Sequence, residues 1–205
     1  MAPPKQLRCA DLKGGDIMLQ YNQGNVAGKL IAFGQAIVGD KNSEIVHAGV
    51  MFDKYFMIEA LNAGISANDL RVGNQSLSYR VYRPHNSMLG VTESNVVKFL
   101  FDHHSSHGSM PYTYVGAVGA IGKAKTMSSS GVDARLNAIF ALKPTSFFCS
   151  QFVVMSYQLA AAQMGMTPSS VFALDDAKMP PSRLATCCEQ SVAFDYVGYL
   201  SPNAR

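Results

Sequence analysis

The chain has 205 residues and a mass of 22.1 kDa, which is enough for one domain with a core of its own. Apolar residues make up 48% of it, and it holds 17 Gly and 9 Pro, a composition that excludes the disordered and collagen-like classes. Its net charge is +3, from 17 basic and 14 acidic residues scattered along the chain, which argues against nucleic-acid binding.

In chain order, the first half of the sequence predicts a mainly antiparallel sheet with one helix. We expect residues 1–14 to be a flexible lead-in, because they are polar and carry no periodic apolar pattern. Period-two alternation then predicts strands, and apolar residues at helical spacing, namely Val26, Leu30, Phe33 and Ile37, predict one amphipathic helix. The predicted strands are 16–22, 45–52, 55–60, 65–72 and 77–84, and the helix lies within 24–40.

From Thr92 onward the sequence predicts helices rather than strands. Thr92 is a candidate N-cap for the first of them, and a His- and Ser-rich stretch at 103–131 is expected to be a mobile insertion. A second helix is expected from a Ser146 cap to Gly165, and the chain closes with a strand at 192–200. Together these elements predict a single α+β domain over residues 1–205.

From the sequence pattern we expect neither a transmembrane segment nor a secretory signal. The longest apolar stretches, residues 30–39 and 114–122, are far shorter than the roughly 18 to 20 residues of a membrane-spanning helix, so no transmembrane segment is expected. The first residues, MAPPKQLRCADLKGG, carry prolines and charges where a secretory signal has an apolar run. Four unevenly spaced cysteines without a zinc pattern fit a reduced compartment, so we expect synthesis in the cytoplasm.

Cys149 is the candidate nucleophile. It is expected in the first turn of the helix that follows Ser146, where unpaired backbone N–H groups and the helix dipole favour a thiolate. Because Phe147, Phe148 and Phe152 surround it, a small buried core residue is the competing interpretation.

A thiol nucleophile needs a base and a group that orients the base. His47 lies mid-strand on the face opposite Val46, Ala48 and Val50, and Glu59 lies in the next strand among apolar neighbours. The two side chains lie on the same face of the hairpin only if the residue numbers of directly paired residues add up to an even number. This requires a loop with an odd number of residues near Asp53. We predict that odd loop, although each residue also has an ordinary explanation as an exposed strand residue.

The segments GDIMLQ (15–20), HAGVMF, MIEA and FFCSQFV, with Tyr157 eight residues after the cysteine, resemble the circularly permuted papain-like amidases. These enzymes are related to NlpC-type cell-wall peptidases and to lecithin:retinol acyltransferase-like enzymes. The resemblance covers about residues 14–160. It implies an antiparallel sheet packed against helices, with the nucleophile at a helix N-terminus, and it makes Cys149 the nucleophile, His47 the base and acid, and Glu59 the orienting group.

The resemblance also implies acyl transfer, in which the backbone N–H of Cys149 helps to hold the oxyanion. Tyr21 is a candidate for a second oxyanion donor, with a core or rim tyrosine as the alternative, and Ser150 and Tyr157 are further candidates at the oxyanion or substrate. No cofactor and no metal are expected. His103 and His107 lie four residues apart, but the Glu that a zinc-peptidase helix places beside its first histidine is missing.

Three functional hypotheses remain open from the sequence. The first is hydrolysis of an amide bond in bacterial cell-wall peptidoglycan peptides, with delivery by a dedicated secretion system as an antibacterial effector and an immunity protein as partner. The second is a lipid-directed acyltransferase or thioesterase with the same triad, which the 15% charged residues and the two apolar stretches would suit. The third is a non-catalytic binding module in which Cys149 is inert.

Overall fold

The computed structural model describes residues 5–24, 26–37, 39–61, 64–107, 148–173, 179–202 and 204. A seven-stranded sheet forms its centre, in the order β1-β7-β6-β2-β3-β4-β5. All neighbouring strands are antiparallel except β1 and β7, which run parallel. The strands are β1 Gln6–Leu7, β2 Ile17–Tyr21, β3 Ile45–Met51, β4 Phe56–Leu61, β5 Gly64–Asp69, β6 Tyr79–Pro84 and β7 Phe194–Leu200.

Four helices accompany this sheet in the described part of the chain. They are α1 Val26–Ile37, α2 Ser87–His107, α3 Cys149–Gln163 and α4 Pro181–Gln190, and short 3-10 turns lie at Cys9–Asp11 and Pro168–Ser170. The helices and the antiparallel sheet confirm the α+β class that the sequence predicts. None of the described helices is both long and apolar enough to cross a membrane.

Apolar side chains form two clusters, one on each face of the sheet. The larger cluster joins the sheet to α2, α3 and α4, because alternate strand residues point toward the helices. The smaller cluster lies on the other face and includes residues from the N-terminal segment. Its fully buried members are Leu7, Met18, Met51, Met57, Leu70, Tyr79, Val81 and Leu200.

The N-terminal segment differs from its expectation as a flexible lead-in. Leu7 belongs to β1, pairs with Leu200 of β7 and is fully buried. Cys9 and Leu12 are buried in the smaller cluster as well. The sequence analysis missed this because a two-residue strand carries no detectable period. Of the expected mobile insertion at 103–131, residues 103–107 are instead the last part of α2, and the rest lies outside the described residues.

Two helices begin where the sequence did not place them. Helix α2 begins at Ser87, five residues before Thr92, because the Asn86 side chain accepts the backbone N–H groups of Met88 and Leu89. Helix α3 begins at Cys149 itself, with Phe148 as the N-cap residue, and the expected cap Ser146 lies outside the described residues.

Phe33, one residue of the apolar stripe expected on α1, is not buried. It is 67% exposed, whereas Gln35 is fully buried. The Gln35 amide donates to the carbonyls of Ser43 and Ile45 at 3.1 and 2.8 Å, so a polar side chain fastens α1 to the start of β3. Periodicity alone does not detect such a contact, because it treats every polar residue as exposed.

A polar network fixes α4 to the sheet. Arg80 of β6 forms ion pairs with Glu189 of α4 and with Glu44, which precedes β3. The Arg80 guanidinium also donates to Asn42 at 2.8 Å, and the Asn42 amide donates to Glu189 at 3.1 Å. Three segments that are distant in sequence, namely 42–44, β6 and α4, are therefore joined.

Candidate active site

The β3–β4 hairpin has the register that the sequence predicts. Gly49 pairs with Glu59 and Met51 with Met57, so the paired indices have an even sum. Asp53 shapes the turn, because its carboxylate accepts the backbone N–H groups of Tyr55 and Phe56 at 2.7 and 2.8 Å. His47 and Glu59 therefore lie on one face of the hairpin as diagonal neighbours.

His47 and Glu59 are hydrogen-bonded to each other. The His47 Nε2 atom lies 2.6 Å from Glu59 Oε2. Glu59 is 2% exposed, and the His47 side chain is 14% exposed. Because Nε2 is engaged by the carboxylate, Nδ1 is the ring nitrogen left to face another partner.

That partner is Cys149, the first residue of α3. Its side chain is hydrogen-bonded to His47, and the backbone N–H groups of Ala48 and Ser150 donate to its sulfur. Burial opposes ionisation of the thiol, but His47 and these N–H groups outweigh it and lower the pKa of Cys149 below its ordinary value. The start of a helix adds the favourable end of the helix dipole.

The pKa of His47 moves in the opposite direction. Burial alone would lower it, but the neighbouring Cys149 sulfur and the Glu59 carboxylate raise the pKa of His47 well above its usual value. A lowered thiol pKa beside a raised imidazole pKa describes a thiolate–imidazolium pair. The two groups titrate as one unit, since each stabilises the charged form of the other.

Gln20 lies beside His47 and was missed by the sequence analysis. It pairs directly with His47 across β2 and β3, so the two side chains share a face of the sheet. Gln20 is 9% exposed, and no described residue forms a hydrogen bond with its side-chain amide. Gln20 is therefore a nearly buried polar neighbour of His47 and a candidate donor at the site. The signal in the sequence was a polar residue at the end of an otherwise apolar strand.

Tyr21, a candidate for a second oxyanion donor with a core or rim tyrosine as the alternative, does not lie beside His47. It follows Gln20 on β2 and therefore points to the opposite face from His47. Its hydroxyl accepts a hydrogen bond from Arg80 Nε at 3.1 Å, and its ring packs edge-on against Tyr199. Tyr21 lines a cavity of about 390 Å³ beneath α4, so it is the rim tyrosine of the alternative interpretation.

The other two candidates, Ser150 and Tyr157, are held by structural contacts. Both are fully buried. The Ser150 hydroxyl donates to the Met179 carbonyl, so only its backbone N–H belongs to the site. The Tyr157 hydroxyl donates to the Gly15 carbonyl, and its ring packs against Phe172, two helical turns beyond Cys149. The side chains of these two residues do not line the site.

Two further amides contact the candidate site, and the sequence analysis missed both. The side-chain amides of Asn68 and Asn74 donate to Glu59 Oε1, the latter at 3.4 Å. Asn68 lies on β5, and Asn74 lies in the segment between β5 and β6. No sequence pattern pointed to them, because Asn is frequent in turns for unrelated reasons.

The remaining thiols differ from Cys149. All four cysteines are free, and burial raises the pKa of both Cys187 and Cys188. These two are therefore thiols at neutral pH, whereas Cys149 is stabilised as a thiolate. Within the described ranges, no group of three or more His, Cys, Asp or Glu residues lies close enough to hold a metal ion.

Comparison of the chain with models of known protein families gave no match, and neither did comparison with curated protein sequences. The chemistry of the site therefore rests on its geometry. A thiolate, an imidazolium and an orienting carboxylate in hydrogen-bonded series are the parts that nucleophilic acyl transfer needs.

Proposed function

We propose that this protein is a cysteine hydrolase that cleaves an amide bond through Cys149, His47 and Glu59. One observation carries the proposal, namely the hydrogen-bonded series from the thiol through the imidazole to the carboxylate at the first residue of α3. A structural cysteine in an apolar core would instead keep its proton, as Cys188 does.

In the first step, the Cys149 sulfur attacks the carbonyl carbon of the amide, and a carbon–sulfur bond forms. The carbonyl π electrons move to oxygen, giving a tetrahedral oxyanion. When the oxyanion collapses, the carbon–nitrogen bond breaks, and the leaving amine takes the proton of the His47 imidazolium. The product of this step is a thioester on Cys149 and a neutral amine.

In the second step, His47, now neutral, takes a proton from a water molecule that attacks the thioester. The carbon–sulfur bond breaks, the carboxylic acid is released, and the thiolate–imidazolium pair is restored. Glu59 keeps the imidazole in one orientation through both steps and stabilises its positive charge.

The oxyanion would be held by two kinds of donor. One is the backbone N–H of Cys149, which has no acceptor within α3 because it is the first residue of the helix. The other is the side-chain amide of Gln20, which shares a face with His47 and has no described partner. Preformed donors of this kind stabilise the charge that develops in the transition state.

The proposed fold family is the permuted papain-like one. The strands that carry His47 and Glu59 precede the helix that begins with Cys149, which is the order of the permuted branch. The α+β sheet with its helices is compatible with that assignment.

The proposed substrate is a peptide of bacterial peptidoglycan, on the strength of the resemblance to NlpC-type peptidases. We further propose delivery by a dedicated secretion system as an antibacterial effector, with an immunity protein as the protective partner. Such a partner is expected to block access to Cys149.

A second candidate function uses the same residues on lipid acyl groups. It is favoured by exposed apolar side chains on α2, since Met88, Val91 and Phe99 are 61%, 55% and 60% exposed. Val91 also lines a cavity of about 630 Å³ at the N-terminal end of α2. Exposed apolar residues near a cavity are a feature of proteins that contact lipids.

The test is mass spectrometry of purified muropeptides after incubation with wild-type protein, Cys149→Ala or Cys187→Ala. Cys187 is a matched control, since it is a free and partly exposed thiol outside the site. We expect new fragments with wild type and Cys187→Ala but not with Cys149→Ala, and their masses identify the bond.

Unchanged muropeptides with the wild-type protein contradict the peptidoglycan assignment. Release of fatty acid from phosphatidylcholine vesicles, dependent on Cys149, would then support the lipid function. A Cys149 thiol that reacts with iodoacetamide no faster than Cys187 at pH 6 would support the inert binding module.

A further inference from the structure

The contacts among Cys149, His47 and Glu59 leave one oxygen of the buried Glu59 carboxylate without a hydrogen-bond donor. Glu59 is 2% exposed, and an ionised carboxylate at such a position is costly unless its oxygens are hydrogen-bonded. His47 engages only Oε2. The second oxygen, Oε1, needs donors of its own if the buried carboxylate is to be fully hydrogen-bonded and keep one orientation.

Two neutral amides supply these donors. Asn68 on β5 donates to Oε1, and so does Asn74, at 3.4 Å. The residue directly opposite Glu59 on β5 is Ser66, whose hydroxyl forms no hydrogen bond with Glu59. Asn68 reaches the carboxylate diagonally across the strand pair instead.

The backbone at Asn74 is unusual in a way that fits this role. Its φ is +56°, and it is the one residue other than glycine with a positive φ in the described part of the chain. Asn adopts this left-handed conformation more readily than most residues. The Asn74 carbonyl also accepts the backbone N–H of Leu77 at 2.9 Å, which closes the turn that aims the Asn74 amide at Glu59.

Neutral donors suit the chemistry better than cations would. An Arg or Lys on Oε1 would cancel the charge of Glu59 and weaken its attraction for the His47 imidazolium. An amide stabilises the carboxylate and leaves its full charge facing His47. His47 in turn stabilises the Cys149 thiolate. The two amides therefore act on the nucleophile indirectly, through Glu59 and His47.

We propose that Asn68 and Asn74 are positioning residues that hold the Glu59 carboxylate in one orientation, so that the candidate triad works as a five-residue hydrogen-bonded network. This inference rests on the proposed function of Cys149, His47 and Glu59. It assigns to the two asparagines a role in thiolate formation that is separate from their role in folding.

The experiment measures the rate of Cys149 alkylation by iodoacetamide from pH 4 to pH 10, with the modified peptide quantified by mass spectrometry. Variants are Asn68→Ala, Asn68→Gln, Asn74→Gly and, as the matched control, Ser66→Ala. Glycine is chosen at position 74 because it keeps the positive φ while it removes the amide. Each variant's free energy of unfolding is measured by urea titration.

We expect the alkylation rate of wild-type Cys149 to rise at a lower pH than that of an ordinary thiol, because the pKa of Cys149 is lowered. Asn68→Ala and Asn74→Gly should each move this rise to a pH about one unit higher. At a pH below the midpoint of the rise, alkylation should then slow about tenfold. Ser66→Ala should stay within about twofold of wild type, and Asn68→Gln should restore part of the loss.

The outcomes separate the two proposals. If the wild-type thiol titrates as an ordinary cysteine, the proposed function fails, and this inference fails with it. If the wild-type profile is shifted but both asparagine variants match it at reduced stability, the amides are structural only and this inference alone is overturned. If Asn68→Ala does not fold, Asn74→Gly decides the question by itself.

Discussion

At the scale of single residues, His47 is the centre of the candidate site. It contacts Glu59 through Nε2, is hydrogen-bonded to Cys149, and lies directly opposite Gln20 in the sheet. Each neighbour has a separate task in the proposed reaction. Glu59 orients the imidazole, Cys149 attacks the carbonyl, and Gln20 stabilises the oxyanion.

The role of Gln20 leads to a prediction about rate rather than stability. Replacing Gln20 by Ala removes an oxyanion donor, and we expect kcat to fall by about 10²-fold to 10³-fold with KM little changed. The measurement is steady-state hydrolysis of the substrate found with muropeptides, or of p-nitrophenyl acetate. Gln23→Ala is the control, because this exposed residue lies three positions further along the chain.

A loss of less than about threefold in Gln20→Ala would remove Gln20 from the mechanism. A fall confined to substrate affinity would assign it to substrate binding instead. Either result leaves the assignment of Cys149, His47 and Glu59 unaffected.

At the scale of elements, α3 has two separate functions along its length. Its first residue, Cys149, belongs to the site, whereas Tyr157 fastens the middle of the helix to the segment before β2 through the Gly15 carbonyl. Gly15 has a φ of +83°, and a Cβ there would lie 2.5 Å from the Gly90 backbone. The segment GDIMLQ therefore begins with a glycine because α2 approaches it closely.

Tyr157→Phe tests whether Tyr157 is structural. The change leaves the Gly15 carbonyl without its hydroxyl donor, so we expect the free energy of unfolding to fall by about 1 to 3 kcal/mol. Alkylation of Cys149 in the folded protein should be unchanged. Urea unfolding and the alkylation rate are measured together, and Tyr196→Phe, at a half-exposed tyrosine, is the control.

Unchanged stability together with slower alkylation of Cys149 would be the opposite result. It would return Tyr157 to the list of residues that support the reaction.

At the scale of the whole molecule, stability should depend on pH through a buried acid. Glu93 of α2 is fully buried, and its Oε1 accepts a hydrogen bond from Ser156 of α3 at 2.6 Å. Its other oxygen, Oε2, has no hydrogen-bond partner among the described residues. Burial raises the pKa of Glu93 to about 8, so it is a neutral acid at pH 7. Tyr157 is its titratable neighbour.

The sign of the effect follows from proton binding. Between pH 4.5 and about 8 the folded protein keeps a proton on Glu93 that the unfolded chain releases. The free energy of unfolding therefore falls as pH rises through this window, by as much as about 1.4 kcal/mol for each pH unit. Urea titrations at pH 5, 6, 7 and 8 measure it.

Glu93→Gln should remove this part of the pH dependence, because glutamine stays neutral throughout. Asp102→Asn on the exposed side of the same helix should leave it in place, since Asp102 is more than half exposed. If the free energy of unfolding depends on pH in the same way in wild type and in Glu93→Gln, Glu93 is ionised in the folded protein, contrary to this account.

Much of the candidate site was predictable from the sequence because strand geometry is simple. Side chains alternate with period two, so a hairpin loop of odd length was the one condition needed to place His47 and Glu59 on one face. The sequence analysis predicted such a loop near Asp53, and the β3–β4 register confirms it. The position of Cys149 at the start of a helix was also near what the sequence indicated, although the cap residue was not. Tyr21 is the rim tyrosine of the alternative interpretation. The side chains of Ser150 and Tyr157 are held by contacts outside the site, because nearness in sequence to a functional residue does not fix the direction of a side chain.

By itself the sequence determined the α+β class and the strands and helices with strong periods, since these follow from local periodicity. The face shared by His47 and Glu59 was a prediction that depended on the length of the loop between their strands, and the β3–β4 register confirms it. Only the tertiary structure brought Cys149 to His47 across 102 positions of sequence, and only it showed the nearly buried amide of Gln20 beside them. It likewise decided that Asn68 and Asn74 hold Glu59 and that the N-terminal segment joins the sheet. These contacts join segments distant in the chain, and their geometry depends on how whole elements pack rather than on any local pattern.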